Sequence, residues 1–377
     1  MRLLMVSGDR QVAIGERGPF ATLLTDFAQA FERIDVLCPR PPRPPTVATF
    51  AGNVHLHTAP VGRSRMIAWI ASEGLELVAE HQHALITSHD YGWFYNGVGS
   101  ARLSAATGVP YLSEIHHVPG HPVAADLRER FDKRVARTYV RWARTRAAAF
   151  RVVNHVEMPA LLESWGVPRE QILVLPSLYI DFDVFRPADV APPAEYDVCF
   201  VGRMVGNKGL DRIVDALALL ATRGTKLRAL FVGKGPLRDA TQARAQAKHV
   251  EARFVEWVDS ADDLAVIYRA SRVVVCASTC EGGPRFTVEA MACGTPVVST
   301  RVGVMNELIQ DGVNGRFAGF DTGSLAEAIA ATLRDEPARR ALGEAGRLSV
   351  RHCERARTIR GYADGLKLLA ETARRPS

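Results

Sequence analysis

A pair of glutamates brackets the stretch of the chain whose residue types are best suited to chemistry. Glu281 follows an apolar run that predicts a buried strand, and Glu289 lies eight residues further on, in a segment with helical spacing. Between them, Gly282–Pro284 form a Gly-Gly-Pro turn, whose glycines let a ligand approach the backbone closely. The free N–H groups at the start of the following helix attract anions. The pattern predicts either a diphosphate site with a carboxylate beside it, or an ordinary tight turn without function.

The elements around this stretch are those of an α/β protein. Short apolar runs predict a first series of strands near residues 1–7, 33–38, 53–57, 84–87, 109–115, 149–153 and 172–175, with helices between them. A second series begins with a strand at 197–202 and alternates strands with helices to about residue 300. Each half therefore predicts a sheet covered by helices.

The domain organisation follows from length and from one proline-rich segment. A chain of 377 residues is long enough for two domains, each with a full core. The segment 186–194 is rich in proline and has no apolar periodicity, which indicates an interdomain linker. We expect a first domain at residues 1–185 and a second at 186–355. An amphipathic helix in residues 356–377 is expected to pack back toward the first domain.

Composition narrows the class of protein. The net charge of +6 favours anionic partners, such as nucleotide phosphates or acidic lipid. No apolar run approaches the roughly 20 residues that span a bilayer, and the short apolar run at the N-terminus predicts a strand rather than a signal peptide. The six cysteines show no Cys-x-x-Cys spacing, so we expect buried, reduced thiols in a cytoplasmic protein.

Several segments, in this order and spacing, resemble the retaining glycosyltransferases of GT-B fold that carry a Glu-x7-Glu motif, the group 1 glycosyl transferases of family-four type. The segments are VGRMVGNKGLDRIVDAL (201–217), LFVGKGPLR (230–238) and the whole of 281–315, with VPYLSEIHH (109–117) in the first half. The resemblance implies an α/β fold with two Rossmann-like domains facing a cleft. It places the nucleotide-sugar donor in the C-terminal domain and the acceptor in the N-terminal domain.

The resemblance assigns the chemistry to four residues. Arg203 and Lys208 would reach the donor's diphosphate and meet the negative charge that develops on it, in place of a metal ion. Glu281 would accept hydroxyl groups of the donor sugar and stabilise an oxocarbenium-like centre. His116 would touch the sugar near the reacting carbon, with the neighbouring His117 as the alternative.

Further donor contacts are implied around the same turns. Glu289 would bind the ribose hydroxyl groups of the nucleoside. The other expected donor contacts are Gly202, Gly283, Pro284, Arg285 and Phe286. No cofactor is expected, because the nucleoside-diphosphate sugar is itself the substrate, and no metal is expected, because Arg203 and Lys208 would take its place.

The first loop departs from the family pattern. Many members carry Gly-Gly there, near the diphosphate and the acceptor, whereas this chain has Arg17-Gly18 at the corresponding place. We expect Gly15, Arg17 and Gly18 to form an acceptor or phosphate loop, with Arg17 either adding a phosphate contact or reshaping the entrance.

A basic helix predicted within residues 123–150 lies outside these motifs. Arginine and lysine outnumber aspartate and glutamate in it. Its predicted apolar stripe consists of Leu127, Phe131, Val135, Tyr139 and Trp142. The helix predicts either a solvated basic face or a contact with an anionic membrane surface, which would suit a membrane-linked acceptor. No nucleic-acid-binding module is evident, so no nucleic-acid partner is expected.

The resemblance, taken with these features, implies a metal-independent, retaining glycosyltransferase of the hexosyltransferase type, acting in polysaccharide or glycolipid biosynthesis. Its acceptor would be a glycan, a lipid-linked molecule or a small molecule. It would be cytoplasmic, with a position at the inner face of a membrane as an open alternative. The competing hypotheses are a non-catalytic nucleotide-sugar binder, a basic peripheral membrane-binding protein, and a GT-B epimerase or phosphorylase.

Overall fold

Two separate sheets organise the chain, and the computed structural model describes residues 1–16, 18–190 and 192–373. The first sheet has eight strands in the order β3-β4-β2-β1-β5-β6-β7-β8, all parallel except the β3–β4 pair. Its strands are β1 Arg2–Val6, β2 Arg33–Cys38, β3 Thr49–Phe50, β4 Val54–Thr58, β5 Leu85–His89, β6 Tyr111–Glu114, β7 Ala149–Val152 and β8 Ile172–Val174. Its helices are α1 Pro19–Ala28, α2 Met66–His81, α3 Tyr95–Thr107, α4 Leu127–Ala143 and α5 Glu157–Ser164.

The second sheet has six parallel strands in the order β11-β10-β9-β12-β13-β14. Its strands are β9 Tyr196–Val201, β10 Ala229–Val232, β11 Ala252–Val255, β12 Ser271–Cys276, β13 Val297–Thr300 and β14 Arg316–Ala318. The helices of this half are α6 Leu210–Thr222, α7 Arg238–Ala247, α8 Ala261–Arg269, α9 Arg285–Ala292, α10 Met305–Leu308, α11 Thr322–Leu333, α12 Glu336–Ser349 and α13 Arg355–Thr372. The predicted division between residues 185 and 186 lies between β8 and β9, and the exact boundaries stay a prediction.

The strands read as continuous apolar runs because helices cover both faces of each sheet. In β1, Leu4 and Val6 pack into the core on one face, while Leu3 and Met5 pack into the core on the other. The short strands β3 and β14 carry too little apolar pattern to be predicted from the sequence. All six cysteines are buried free thiols, as expected.

The last helix returns to the first domain, as predicted. Tyr362 and Leu366 of α13 are buried in the core of the first domain, beside Phe27 of α1. At the start of α13, the Arg355 guanidinium forms two hydrogen bonds with the Asp26 carboxylate, at 2.8 and 3.1 Å. The core of the N-terminal domain is therefore completed by the C-terminal end of the chain.

The strand orders determine where a ligand can bind. In the first sheet β1 lies between β2 and β5, and in the second sheet β9 lies between β10 and β12. Chain connections diverge at such a switch point, and the resulting crevice at the carboxyl ends of the strands is where ligands of open α/β sheets bind. Among the described residues, no helix combines the length and the apolar character needed to cross a membrane.

Candidate functional site

The turn after β12 touches the loop after β6, so that the two domains meet at the bottom of a cleft. The contact is backbone to backbone: a Cβ atom built on Gly282 would lie 2.4 Å from the carbonyl oxygen of His116. Real Cβ contacts are not that short, so this approach requires a glycine. The Gly-Gly-Pro turn is thus shaped for contact between the two domains.

Lys208 and Glu281, both predicted to be catalytic, form a largely buried ion pair. The Lys208 ammonium group donates to Glu281 Oε1, which also accepts a hydrogen bond of 2.7 Å from Ser278 Oγ. The loops that carry them are tied together by Asn207, whose Nδ2 donates to the Cys280 carbonyl at 3.0 Å. The loop after β9 and the turn after β12 are therefore joined by a hydrogen bond and by the ion pair.

Arg203 and His117 lie around the same pair. Arg203 is exposed, and its charge acts on the ring of His117. Desolvation is the largest cause that lowers the pKa of His117. The positive charges of Lys208 and Arg203 lower this pKa further, while the Glu281 carboxylate opposes them. The predicted cations and the first carboxylate thus face one region of the cleft rather than separate surfaces.

His116 is held neutral by its surroundings. Its Nε2 lies 3.0 Å from Arg151 Nη1, and because a guanidinium can only donate, Nε2 must accept and the ring proton must sit on Nδ1. Desolvation lowers the pKa of His116 to about 4; the neighbouring Glu114 carboxylate opposes this and the charge of Arg151 adds to it. At neutral pH the ring is therefore a neutral imidazole with one defined tautomer.

A buried cluster behind His116 was not predicted from the sequence. Glu114 Oε2 accepts from Arg151 Nη1 at 2.6 Å and from the Tyr362 hydroxyl at 2.8 Å, and the Arg151 guanidinium lies 3.7 Å from the centre of the Tyr362 ring. Burial alone would raise the pKa of Glu114, but the Arg151 charge and the nearby histidines hold it well below its usual range. The sequence offered one signal for this cluster, because a glutamate and an arginine each lie within an apolar run that predicts a strand.

Glu289 points into the second domain rather than to its surface. It is buried on α9, and its Oε2 accepts a hydrogen bond of 2.8 Å from the Tyr268 hydroxyl. Desolvation raises the pKa of Glu289, against the lowering effects of Tyr268 and of the Arg285 charge. Phe286, one turn earlier on the same helix, packs edge-on against Phe200 of β9. These contacts anchor α9 so that its N-terminus, capped by Pro284, stays at the cleft.

Gly202 and a glycine outside the predicted set shape the other wall. Gly202 has φ +150° and Gly233 has φ +138°, and a Cβ atom on Gly233 would lie 2.0 Å from the Gly202 carbonyl oxygen. Side-chain-bearing residues rarely adopt this backbone conformation. The two glycines let the loops after β9 and β10 pack directly, which positions the backbone next to Arg203.

Two adjoining cavities run along the cleft. One, of about 250 Å³, is lined by Glu281, Gly283 and His117; the other, of about 410 Å³, lies in the N-terminal domain and is lined by Asp9 and His89. His116, Ser177 and Arg285 line both cavities. Arg285 is therefore part of the wall of both cavities. Its guanidinium lies over the Tyr179 ring, 4.4 Å from the ring centre. We name the larger one the N-domain cavity.

The predicted first loop contributes to the N-domain cavity with other residues than expected. Gly8, Asp9 and Phe20 line it, whereas Gly15 ends a short 3-10 turn and Gly18 precedes α1 without lining either cavity. Arg17 lies outside the described residues. The two ends of this loop therefore line the cleft.

Two carboxylates bridge the domains beside the cleft. Glu157, at the start of α5, accepts from the Gly303 backbone N–H at 2.8 Å and from Asn306 Nδ2 at 3.0 Å. Glu307 of α10 accepts from the backbone N–H groups of His155, at 2.5 Å, and of Val156. Each domain therefore supplies one carboxylate to backbone donors of the other, next to a short helix on each side.

Comparison with known proteins places this geometry in context. Residues 181–349 match the family model for glycosyl transferases group 1, and residues 20–177 match that for a glycosyl transferase 4-like domain. The chain is 29% identical over 325 residues to D-inositol 3-phosphate glycosyltransferase from Segniliparus rotundus, an alignment that covers 80% of this chain and 70% of that protein.

Solved structures are similar over the whole chain. Sucrose-phosphate synthase from Thermosynechococcus elongatus superposes with a TM-score of 0.79 at 22% identity, covering 98% of both chains. HepE from Anabaena, in complex with UDP and glucose, superposes with a TM-score of 0.72 at 19% identity, covering 98% of this chain and 100% of that one. These similarities show the predicted two-domain GT-B fold.

Proposed function

This chain belongs to the group 1 glycosyl transferases, and we propose that it transfers a sugar from a nucleoside diphosphate to an acceptor hydroxyl, with retention and without a metal ion. One observation carries the proposal. The Lys208–Glu281 pair lies where the N-terminus of α9 and the exposed Arg203 face His116 and His117 across the cleft. A cation, a carboxylate and a neutral imidazole around one cavity match the needs of a sugar–diphosphate bond.

In this mechanism the cations act on the leaving group. As the bond between the sugar carbon and the phosphate oxygen breaks, negative charge grows on the departing diphosphate. Lys208 and Arg203, with the N–H groups that begin α9, stabilise that charge. Donor binding would draw Lys208 from Glu281 to the phosphate, which frees the carboxylate to accept sugar hydroxyl groups.

The acceptor would attack from the same face that the diphosphate leaves. The acceptor oxygen forms the new bond to the sugar carbon, and its proton passes to an oxygen of the departing phosphate, so that no protein base is consumed. His116, neutral with its proton on Nδ1, can orient a sugar hydroxyl without adding positive charge near the oxocarbenium-like carbon.

The donor and the acceptor are proposed at the level of chemical class. HepE is described with UDP and glucose, which supports testing uridine donors first. The names of the inositol 3-phosphate glycosyltransferase and of sucrose-phosphate synthase include a phosphorylated polyol and a phosphorylated sugar, which supports testing small phosphorylated polyols and sugars as acceptors. Both would enter the cleft, the donor beside Glu281 and the acceptor in the N-domain cavity.

The test begins with binding and ends with product. A thermal-shift panel of UDP, GDP and ADP sugars should show one nucleotide class that raises the Tm, because a ligand of the folded state stabilises it. That donor with an acceptor panel should give a product whose anomeric configuration, read by NMR, equals the donor's. Activity should survive EDTA. Inverted product or loss of activity in EDTA would contradict the corresponding part of the proposal, and binding without turnover would favour a nucleotide-sugar binder.

A further inference from the structure

An exposed apolar cluster projects from the N-terminal domain. Trp93, in the loop after β5, contacts Phe131 of α4 with ring centroids 6.1 Å apart and an edge-on geometry. The two residues are 71% and 51% exposed, and Leu127, one turn before Phe131, is 77% exposed. Single exposed apolar residues are ordinary, but a contiguous group from two elements marks an interaction surface. We name these three residues the apolar tip.

The helix that carries the tip is only partly the one predicted. Residues four apart in a helix are rotated by about 40° around its axis, so the predicted stripe winds from one side of α4 to another. Tyr139 is buried and Val135 and Trp142 are partly buried against the core, whereas Leu127 and Phe131 face outward. The predicted stripe therefore packs on the core only through its second half, while Leu127 and Phe131 stay exposed.

Arginines share the outward face with the tip. At about 100° per residue, Arg130, Arg134, Arg137 and Arg141 lie within about 80° of Leu127, opposite the buried Ala136. All four are exposed, and none forms an ion pair with a residue that the structure describes. The helix thus presents apolar side chains at its first turns and a row of free positive charges along the rest of the same face.

The surface adjoins the N-domain cavity. Tyr91, two residues before Trp93, is half exposed and lines that cavity. The segment that leads into α4 also touches the second domain, where the Val123 N–H donates to the Thr279 carbonyl at 3.4 Å. A flat partner resting on the tip would therefore lie beside the opening through which an acceptor enters.

We propose that the apolar tip and the arginine row of α4 dock on an anionic lipid bilayer. Aromatic and leucine side chains insert at the level of the headgroups, while arginines alongside bind lipid phosphates, and neither feature alone gives stable docking. Charge complementarity selects this partner over a protein groove, because the row is free of carboxylate partners. Docking does not depend on the transfer reaction, so its failure and that of the proposed function are distinguishable.

The experiment is co-sedimentation of the full chain with lipid vesicles. Vesicles of phosphatidylcholine with phosphatidylglycerol should retain the protein, and vesicles of phosphatidylcholine alone should not. Replacing Trp93 and Phe131 by serine should weaken retention at least about tenfold, the transfer value of one large apolar side chain. The matched control replaces Trp257 and Leu368, which are 68% and 61% exposed elsewhere, and should bind as the parent does.

A second set of variants tests the charges. Arg130, Arg134 and Arg137 replaced together by glutamine should lose retention about tenfold or more, whereas the same change at the exposed Lys226, Arg334 and Arg351 should not. Equal retention on neutral and anionic vesicles would overturn the proposal. So would arginine-dependent binding that ignores the Trp93 and Phe131 changes, because that is how a surface for soluble polyanions such as nucleic acid behaves. A Tm equal to that of the parent, measured without ligand, verifies that each variant is folded.

Discussion

Glu157→Gln tests how the domain contact depends on pH. The Glu157 carboxylate is buried where the Gly303 N–H and the Asn306 amide donate to it. An amide oxygen can accept the same two hydrogen bonds, so the variant keeps the contact and loses only the ionisable proton. Desolvation raises the pKa of Glu157 to about 7, with the nearby Glu307 charge adding to the effect and the two hydrogen bonds opposing it.

The size and the sign of this pH effect follow from the difference in proton binding between the folded and unfolded states. The unfolded chain releases this proton near pH 4.5, whereas the folded protein keeps it to about pH 7. Between these values the folded state binds more protons, so the free energy of unfolding falls by about 1.4 kcal/mol for each pH unit. The contribution of Glu157 is therefore complete below pH 4.5 and has dropped by about 3 kcal/mol once the pH exceeds 7. The glutamine variant has no such loss.

The assay is denaturant unfolding of both proteins from pH 5 to pH 8. The variant should gain stability relative to the parent as the pH rises, by about 2.5 kcal/mol between pH 5 and pH 8, because part of the total change precedes pH 5. Glu170→Gln, an exposed change of the same charge, serves as the control and should run parallel to the parent. Parallel curves for Glu157→Gln, or a gap that widens toward acid, would refute the reasoning.

Three further changes address the site. Lys208→Ala should lower turnover at least tenfold, about 1.4 kcal/mol of barrier, and unchanged turnover in a steady-state assay would remove this lysine from the mechanism. Gly282→Ala should prevent the turn from reaching the His116 carbonyl and should raise the KM for the donor. Gly283→Ala should change the KM little, because its Cβ atom would meet its nearest neighbour at 3.4 Å. Equal changes of the KM in the two variants would argue against the steric account. Arg151→Met should raise the pKa of His116, because it removes a positive charge and leaves a carboxylate; NMR titration of the ring measures this, and a constant pKa would contradict the assignment.

The pattern of neighbouring residues along the chain was sufficient to predict the architecture. Apolar runs of strand length, helical spacing and a proline-rich break indicated two α/β halves, and the observed strands lie close to the predicted ones. The ordered blocks around Arg203, Lys208 and Glu281 predicted a glycosyltransferase of GT-B fold, which the family and structure comparisons confirm. Periodicity and turn chemistry are properties of neighbouring residues, so they can be read without coordinates.

Pairings between distant residues were decided only by the tertiary structure. Glu114 and Arg151 occupy adjacent strands that are far apart in the chain, and Tyr362 joins them from the last helix. The outward face of Leu127 and Phe131 likewise depends on which side of α4 the sheet covers. A sequence states which side chains are apolar or charged, but the free energy of burying them depends on the neighbours that topology supplies, and those neighbours come from elsewhere in the chain.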